Sequence, residues 1–327
     1  ATMKKLVLLS IVSVFTINSS QIHAWSQPIH KRIVIDALSF MNSSYASEDE
    51  KLAYAFYVKA AGSEENAGEI LGQAAYDVDE FKDTRLGEWW RPYERAPIGG
   101  LGGFIVQYTS YWHFLNMTRG EDAHGNDHGG YDYRYHTKDP RWWANIDTYA
   151  KYYLYNLQLH EKDFNSTEAH YRQGSHSTIG KHYEDFQNIA WQPIDNLAKY
   201  WYDQFILDPS LEMIGFTLHA VGDVAQPHHV WVSSSNSHAG WEGWIEDYYD
   251  EYQLSAHEKV SKIIGEYDTE WPVRDILTHT AGIAYEHPEV LYNRDTKTRV
   301  AASNILIPHA VASAVTVLTK GALYFYD

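Results

Sequence analysis

The chain has no cysteine among its 327 residues. That excludes disulfides and thiolate metal sites, so the fold must rest on its core, and any metal must be taken by imidazole and carboxylate. Positive charge is also short, with 26 Lys and Arg against 43 Asp and Glu and a formal net charge of −17. A body this acidic cannot coat nucleic acid through a general basic surface. A phosphate-bearing ligand would need something locally positive, and bound metal ions are the obvious candidates. Alternating strand patterns, internal repeats and long linkers are missing as well.

Long apolar runs are scarce, and the one that stands out is at the start. Met3, Lys4 and Lys5 are followed by the apolar stretch Leu6 to Ile17 and a more polar stretch from Ser19 to the small residue Ala24. This reads as a signal peptide over residues 1–24, too short to span a bilayer comfortably, with a mature domain over 25–327. The expected location is secreted or periplasmic. No further run is expected to cross a membrane.

What is present is helical periodicity. His30, Ile33, Val34, Ala37, Leu38 and Met41 repeat at three and four, Leu52, Ala55, Phe56 and Lys59 continue in a second helix, and Ile70, Leu71 and Ala74 mark a third that leads into Asp77. Long aromatic-rich helices are expected over 142–160 and 186–207. Pro209 and Ser210 open another that runs to about Val224, one begins near His238, and the last follows Pro308. Two segments are irregular. Residues 84–110 hold Gly99-Gly100-Leu101-Gly102-Gly103, and 118–140 are rich in Gly, Asp, His and Tyr. The expected fold class is all-α, a single compact helical domain with these two loop insertions.

The chemistry gathers between Thr217 and Glu242. His219 and Asp223 are four apart and share a helix face, Pro227 ends that helix, and His229 follows on the turn. His238 and Glu242 are again four apart. Each His alone, among 18, is an ordinary polar residue of a wet helix face. Jointly they are not, because Met213, Ile214, Phe216 and Leu218 place His219 and Asp223 beside the core, where charge needs a partner. Imidazole and carboxylate in this density are natural ligands for zinc.

The pattern His219-x-x-x-Asp223-x-x-x-Pro227-x-His229, then His238-x-x-x-Glu242, resembles the bacterial zinc-dependent phospholipases C and the related fungal single-strand nucleases. Trp25 after the cleavage point resembles the N-terminal Trp of that superfamily, whose free amine and carbonyl bind zinc. The resemblance implies three zinc ions. Asp77, His113, His219 and Asp223 would hold the first, His229, His238 and Glu242 the second, and Trp25, His30 and a shared Asp223 the third. Asp79 competes with Asp77 for the carboxylate. It further implies hydrolysis of a phosphodiester by a hydroxide held between zinc ions, with Asp77 orienting or deprotonating the attacking water.

Glu242 and the absent disulfides favour cleavage of a phospholipid at its glycerol–phosphate bond. The short gap from Trp25 to His30 favours a single-strand nuclease or 3′-nucleotidase of the same fold, and a non-catalytic zinc-binding protein on the same scaffold is a third reading. The expected partners are a phospholipid or other phosphodiester and transient contact with a lipid surface, with no stable nucleic-acid partner unless the protein is a nuclease. Val78 and Ser110 stand where choline-preferring relatives carry aromatics, so a choline headgroup does not follow from the resemblance. Trp89, Trp90, Tyr93 and Phe104 could form a different cage or a packed surface cluster.

Overall fold

A computed structural model describes residues 26–78, 113, 115, 117, 194–231, 238–291 and 293–326, with the backbone of 95–97 and 105–107. The signal peptide expected over 1–24, Trp25, Asp79, Ser110, the insertion expected over 118–140, the helix expected over 142–160, the start of that over 186–207 and the aromatics Trp89, Trp90, Tyr93 and Phe104 lie outside the described residues.

The fold is all-α. Helix α1 (Gln27–Met41) starts after Ser26 with Pro28 in its first turn, where a missing N–H is no loss. Helix α2 (Glu48–Ala61) opens on a capping box between Ser47 and Glu50 and closes at Gly62, whose φ of 87° suits a residue without a side chain. Helix α3 (Glu64–Asp77) is capped by Ser63. Then come α4 (Ile194–Leu207), α5 (Leu211–Val224), the single turn α6 (Pro227–Val230) and α7 (His238–Tyr248). Helices α8 (His257–Ile263), α9 (Val273–Tyr285) and α10 (Thr296–Leu323) complete the described chain.

Helix α5 is the axis. Every residue from Met213 to Val224 is buried, and α1, α3, α4, α9 and α10 pack around it. A helix closed in on all sides must satisfy its polar side chains from its neighbours. Helix α3 comes very close at Gly215. A Cβ built on Gly215 would lie 2.5 Å from Ala74 Cβ and 2.9 Å from the Leu71 carbonyl oxygen, so only glycine lets the two helices approach this closely. Gly215, His219 and Asp223 recur at intervals of four and share one face, so this approach sets how far the site residues stand from the end of α3.

Several expectations need correction. Residues 84–110 are not wholly loop, because β1 (Arg95–Pro97) pairs antiparallel with β2 (Ile105–Gln107), with Ala96 opposite Val106. On α2 the buried positions are Ala53 and Tyr57, whereas Leu52 is exposed. Tyr57 takes the core position because its hydroxyl donates to the Leu318 carbonyl (2.9 Å), so its polar end is satisfied indoors. Helix α10 does not start after Pro308 but twelve residues earlier, at Thr296, where the Asp295 side chain accepts from Thr298 N, and Pro308 lies inside it. It is also long and apolar enough to cross a membrane by length and composition, but its most apolar window is 78% buried by the rest of the fold, as in a core helix. Helices α8 and α9 carry no counterpart in the sequence reading.

Replacing Gly215 with Ala should force α3 and α5 apart and lower stability by about 1–3 kcal/mol, the usual range for overpacking. A urea unfolding curve of the variant checks this, and an unchanged midpoint would mean that the interface yields freely.

Candidate metal centre

The site is built on the last turns of α3 and α5. The final four carbonyls of a helix lack partners of their own. The Ala75 carbonyl, one of these, lies 2.8 Å from His219 Nδ1. A carbonyl only accepts, so Nδ1 carries the ring proton and donates it, and Nε2 of the neutral ring is a bare lone pair. Burial keeps the ring neutral by lowering its pKa to about 3, against a smaller opposing effect from the Ala75 bond.

That lone pair faces two other ligand-type atoms. His219 Nε2 is 3.1 Å from Asp223 Oδ2 and 3.1 Å from His113 Nδ1, and His113 Nδ1 is 3.0 Å from Asp223 Oδ2. A tetrahedral ion with bonds of ~2.0–2.1 Å would hold its ligands ~3.3–3.4 Å apart, so the triangle is nearly of the size that a metal imposes. With no cation, a single proton on His113 or on Asp223 must serve three atoms that all carry lone pairs. His30 closes the group from α1. Its ring stacks on His219 with centroids 3.9 Å apart, and its Nε2 is 3.6 Å from Asp223 Oδ1. The ligand atoms of His30, His219 and Asp223 all lie within 4.8 Å of one another.

His113 reaches the site because the residues just after it are tied to α6. Leu115 N donates to the His229 carbonyl (3.3 Å) and Met117 N to that of Val230 (3.0 Å). These alternate bonds place His113 beside α5 although it is 110 residues from Asp223 in the chain.

A second group stands next to the first. His229 Nε2 is 3.1 Å from His238 Nε2, which is 2.9 Å from Glu242 Oε1, and all three residues are buried. Asp223 joins the two groups. Its Oδ1 is 3.2 Å from His229 Nδ1, so the carboxylate that helps to form the first group is also in close electrostatic contact with an imidazole of the second. Burial pushes Asp223 up to about 7 against the opposing pull of His113, and burial with the neighbouring imidazoles holds His229 well below the usual histidine range. The interior thus resists both a negative carboxylate and positive rings. A divalent cation removes the conflict, because it lets the carboxylate ionise while the rings stay neutral. The two groups could each hold a metal ion.

Of the residues singled out in the sequence, His30, His113, His219, Asp223, His229, His238 and Glu242 converge. His30 groups with Asp223, the carboxylate expected to be shared, and with His219, and its expected companion Trp25 lies outside the described residues. Asp77 belongs to neither group. It ends α3, half-buried, and accepts from Gln73 Nε2 (2.8 Å). Two residues earlier, α3 also offers the site the Ala75 carbonyl.

Two residues were missed. Gln226 is fully buried and its Nε2 donates to Glu242 Oε1 (3.1 Å). His228 is buried and stacks flat on His238, with centroids 4.8 Å apart and planes 6° from parallel. Their only signal in the sequence is position, on either side of Pro227 between two ligand pairs. No family model, curated protein or solved structure matches this chain.

Because Asp223 must release a proton to bind a cation, affinity for a divalent metal should fall about tenfold for each pH unit below about 7, with close to one proton released per ion. His219 adds nothing to this until far lower pH, since it is already neutral. Calorimetric titrations in buffers of different ionisation enthalpy would check both; affinity flat between pH 5 and 7 would remove Asp223 from the ligand set.

Proposed function

We propose that this protein is a secreted zinc-dependent phosphodiester hydrolase of phospholipase C type, which cleaves a phospholipid at its glycerol–phosphate bond. The observation that carries the reading is the pair of buried imidazole–carboxylate groups coupled through Asp223. Zinc suits a donor set of nitrogen and oxygen without sulfur, at the tetrahedral spacing that the first group approaches. When bound, zinc supplies positive charge to the phosphate oxygens and lowers the pKa of water towards ~7.

The protein's own part is placement. His113, His219 and Asp223 would hold one ion, with the Ala75 carbonyl keeping the proton on His219 Nδ1 so that Nε2 stays free to bind. His229, His238 and Glu242 would hold another. A third would take His30, the shared Asp223, and the amine and carbonyl of Trp25 once the leader is removed. Asp77, two residues beyond Ala75, is assigned to orient or deprotonate the water. In-line attack of that water on phosphorus breaks the bond to the glycerol oxygen and yields a diacylglycerol and a phosphomonoester. Dry walls around the ligands strengthen each of these electrostatic contacts.

Metal-loaded mature protein should release diacylglycerol from dispersed phosphatidylcholine or phosphatidylinositol and hydrolyse bis(p-nitrophenyl) phosphate. A chelator should abolish both, and Asp223→Ala should cut turnover at least about 100-fold with loss of more than one equivalent of zinc. Turnover of single-stranded DNA or RNA in place of lipid would move the assignment to the nuclease reading. Bound zinc with no turnover on any of these substrates would overturn the enzyme assignment. One extra residue ahead of Trp25 should lower zinc content, because it takes away the free amine.

A further inference from the structure

Gln226 is uncharged and half-hidden in the motif by the proline that follows it. Its side chain does no capping, since the turn of α6 is closed by its backbone carbonyl, which accepts from His229 N (3.0 Å) and Val230 N (3.3 Å) whatever the side chain. The side chain points at the second group instead. Its Nε2 is 3.1 Å from Glu242 Oε1 and 3.4 Å from His229 Nε2. Beside a carboxylate oxygen the amide must present its NH₂, because its carbonyl would meet another acceptor. The other end has nothing comparable, for Gln226 Oε1 is buried and has no hydrogen-bond partner among the described residues. An amide kept indoors for one of its two ends is being used for that end.

The oxygen it grips is the one turned to the cation position, because Glu242 Oε1 is also the atom 2.9 Å from His238 Nε2. A carboxylate oxygen can serve two directions at once. We infer that Gln226 is a positioning residue of the second metal group, whose Nε2–H···Oε1 bond holds Glu242 turned toward the ion. This rests on the metal-holding half of the proposed function and is indifferent to the substrate. Ligating carboxylates held by outer hydrogen bonds bind metal more tightly than free ones, commonly by 10–100-fold.

The test compares the mature wild-type protein with Gln226→Met, which keeps the bulk and removes both polar ends, and Gln226→Asn, which keeps the amide but falls a methylene short. Zinc titrated by calorimetry should bind the second group of either variant about 10–100-fold more weakly, with the other equivalents unchanged. The rise in Tm on adding zinc should shrink accordingly. The metal-free Tm of the Met variant should stay level or increase, because an unsatisfied carbonyl has gone. If both variants keep wild-type zinc affinities, or if the Met variant lowers the metal-free and zinc-loaded Tm equally, the residue is structural and the inference is overturned. Wild-type protein that takes up no zinc would instead overturn the metal reading beneath it, an outcome visible before any variant is made.

Discussion

Asp223 has no exposed surface and sits on a helix that is buried on every side. Everything around it follows from the need to make such a carboxylate tolerable. A lone buried charge is among the most expensive things a fold can contain, and the usual remedies are protonation, an ion pair or a metal. Lys and Arg do not reach it among the described ion pairs; its partners there are His30, His113, His219 and His229. Burial keeps two of those rings, His219 and His229, neutral. Four imidazoles around one carboxylate form a donor set that suits a divalent cation.

The same constraint explains how the helices are placed. His219 can face Asp223 with a bare nitrogen only because its other nitrogen is fastened to Ala75, and that bond needs α3 close against α5, which Gly215 permits. His113 arrives through backbone bonds of Leu115 and Met117 to α6, so the turn that carries His229 also holds the residues that follow His113. The two groups are therefore mechanically joined through α6 and electrostatically joined through Asp223. Cation binding at either one should stabilise the whole bundle, since a metal that binds only the folded chain shifts the folding equilibrium in proportion to its affinity.

Much of this was legible in the sequence because helical chemistry repeats on a short period. His219 with Asp223, and His238 with Glu242, announce themselves at intervals of four, and the buried lead-in of Met213, Ile214 and Phe216 gave their depth. Helix α5 was bounded correctly by Pro209 and Ser210 on one side. The rest depended on contacts that no local pattern records. Tyr57 is a core residue because of a carbonyl on α10, and Leu52 on the same helix is not. Pro308 reads as a helix start, but the cap at Asp295 fixes an earlier one, and buried neighbours on both sides carry the helix through. Ala75 contributes a carbonyl, which no side-chain motif can reveal, and Gln226 looks like linker until Glu242 is seen beside it.

The charge of the chain bears on which phosphodiester the proposed enzyme would meet. A net charge of −17 repels a polyanion over its whole length, and the repulsion falls off only beyond a Debye length of ~10 Å in ordinary salt. A nucleic-acid strand would have to approach through that field with many phosphates at once. A single diester at the edge of a dispersed lipid carries one such charge, and the cations held by the two buried groups would offset it locally. Were cations held there, a strongly acidic body around a small positive centre would favour substrates with one phosphate and an otherwise uncharged bulk. Electrostatics and the carboxylate at Glu242 thus argue for lipid over nucleic acid from independent directions.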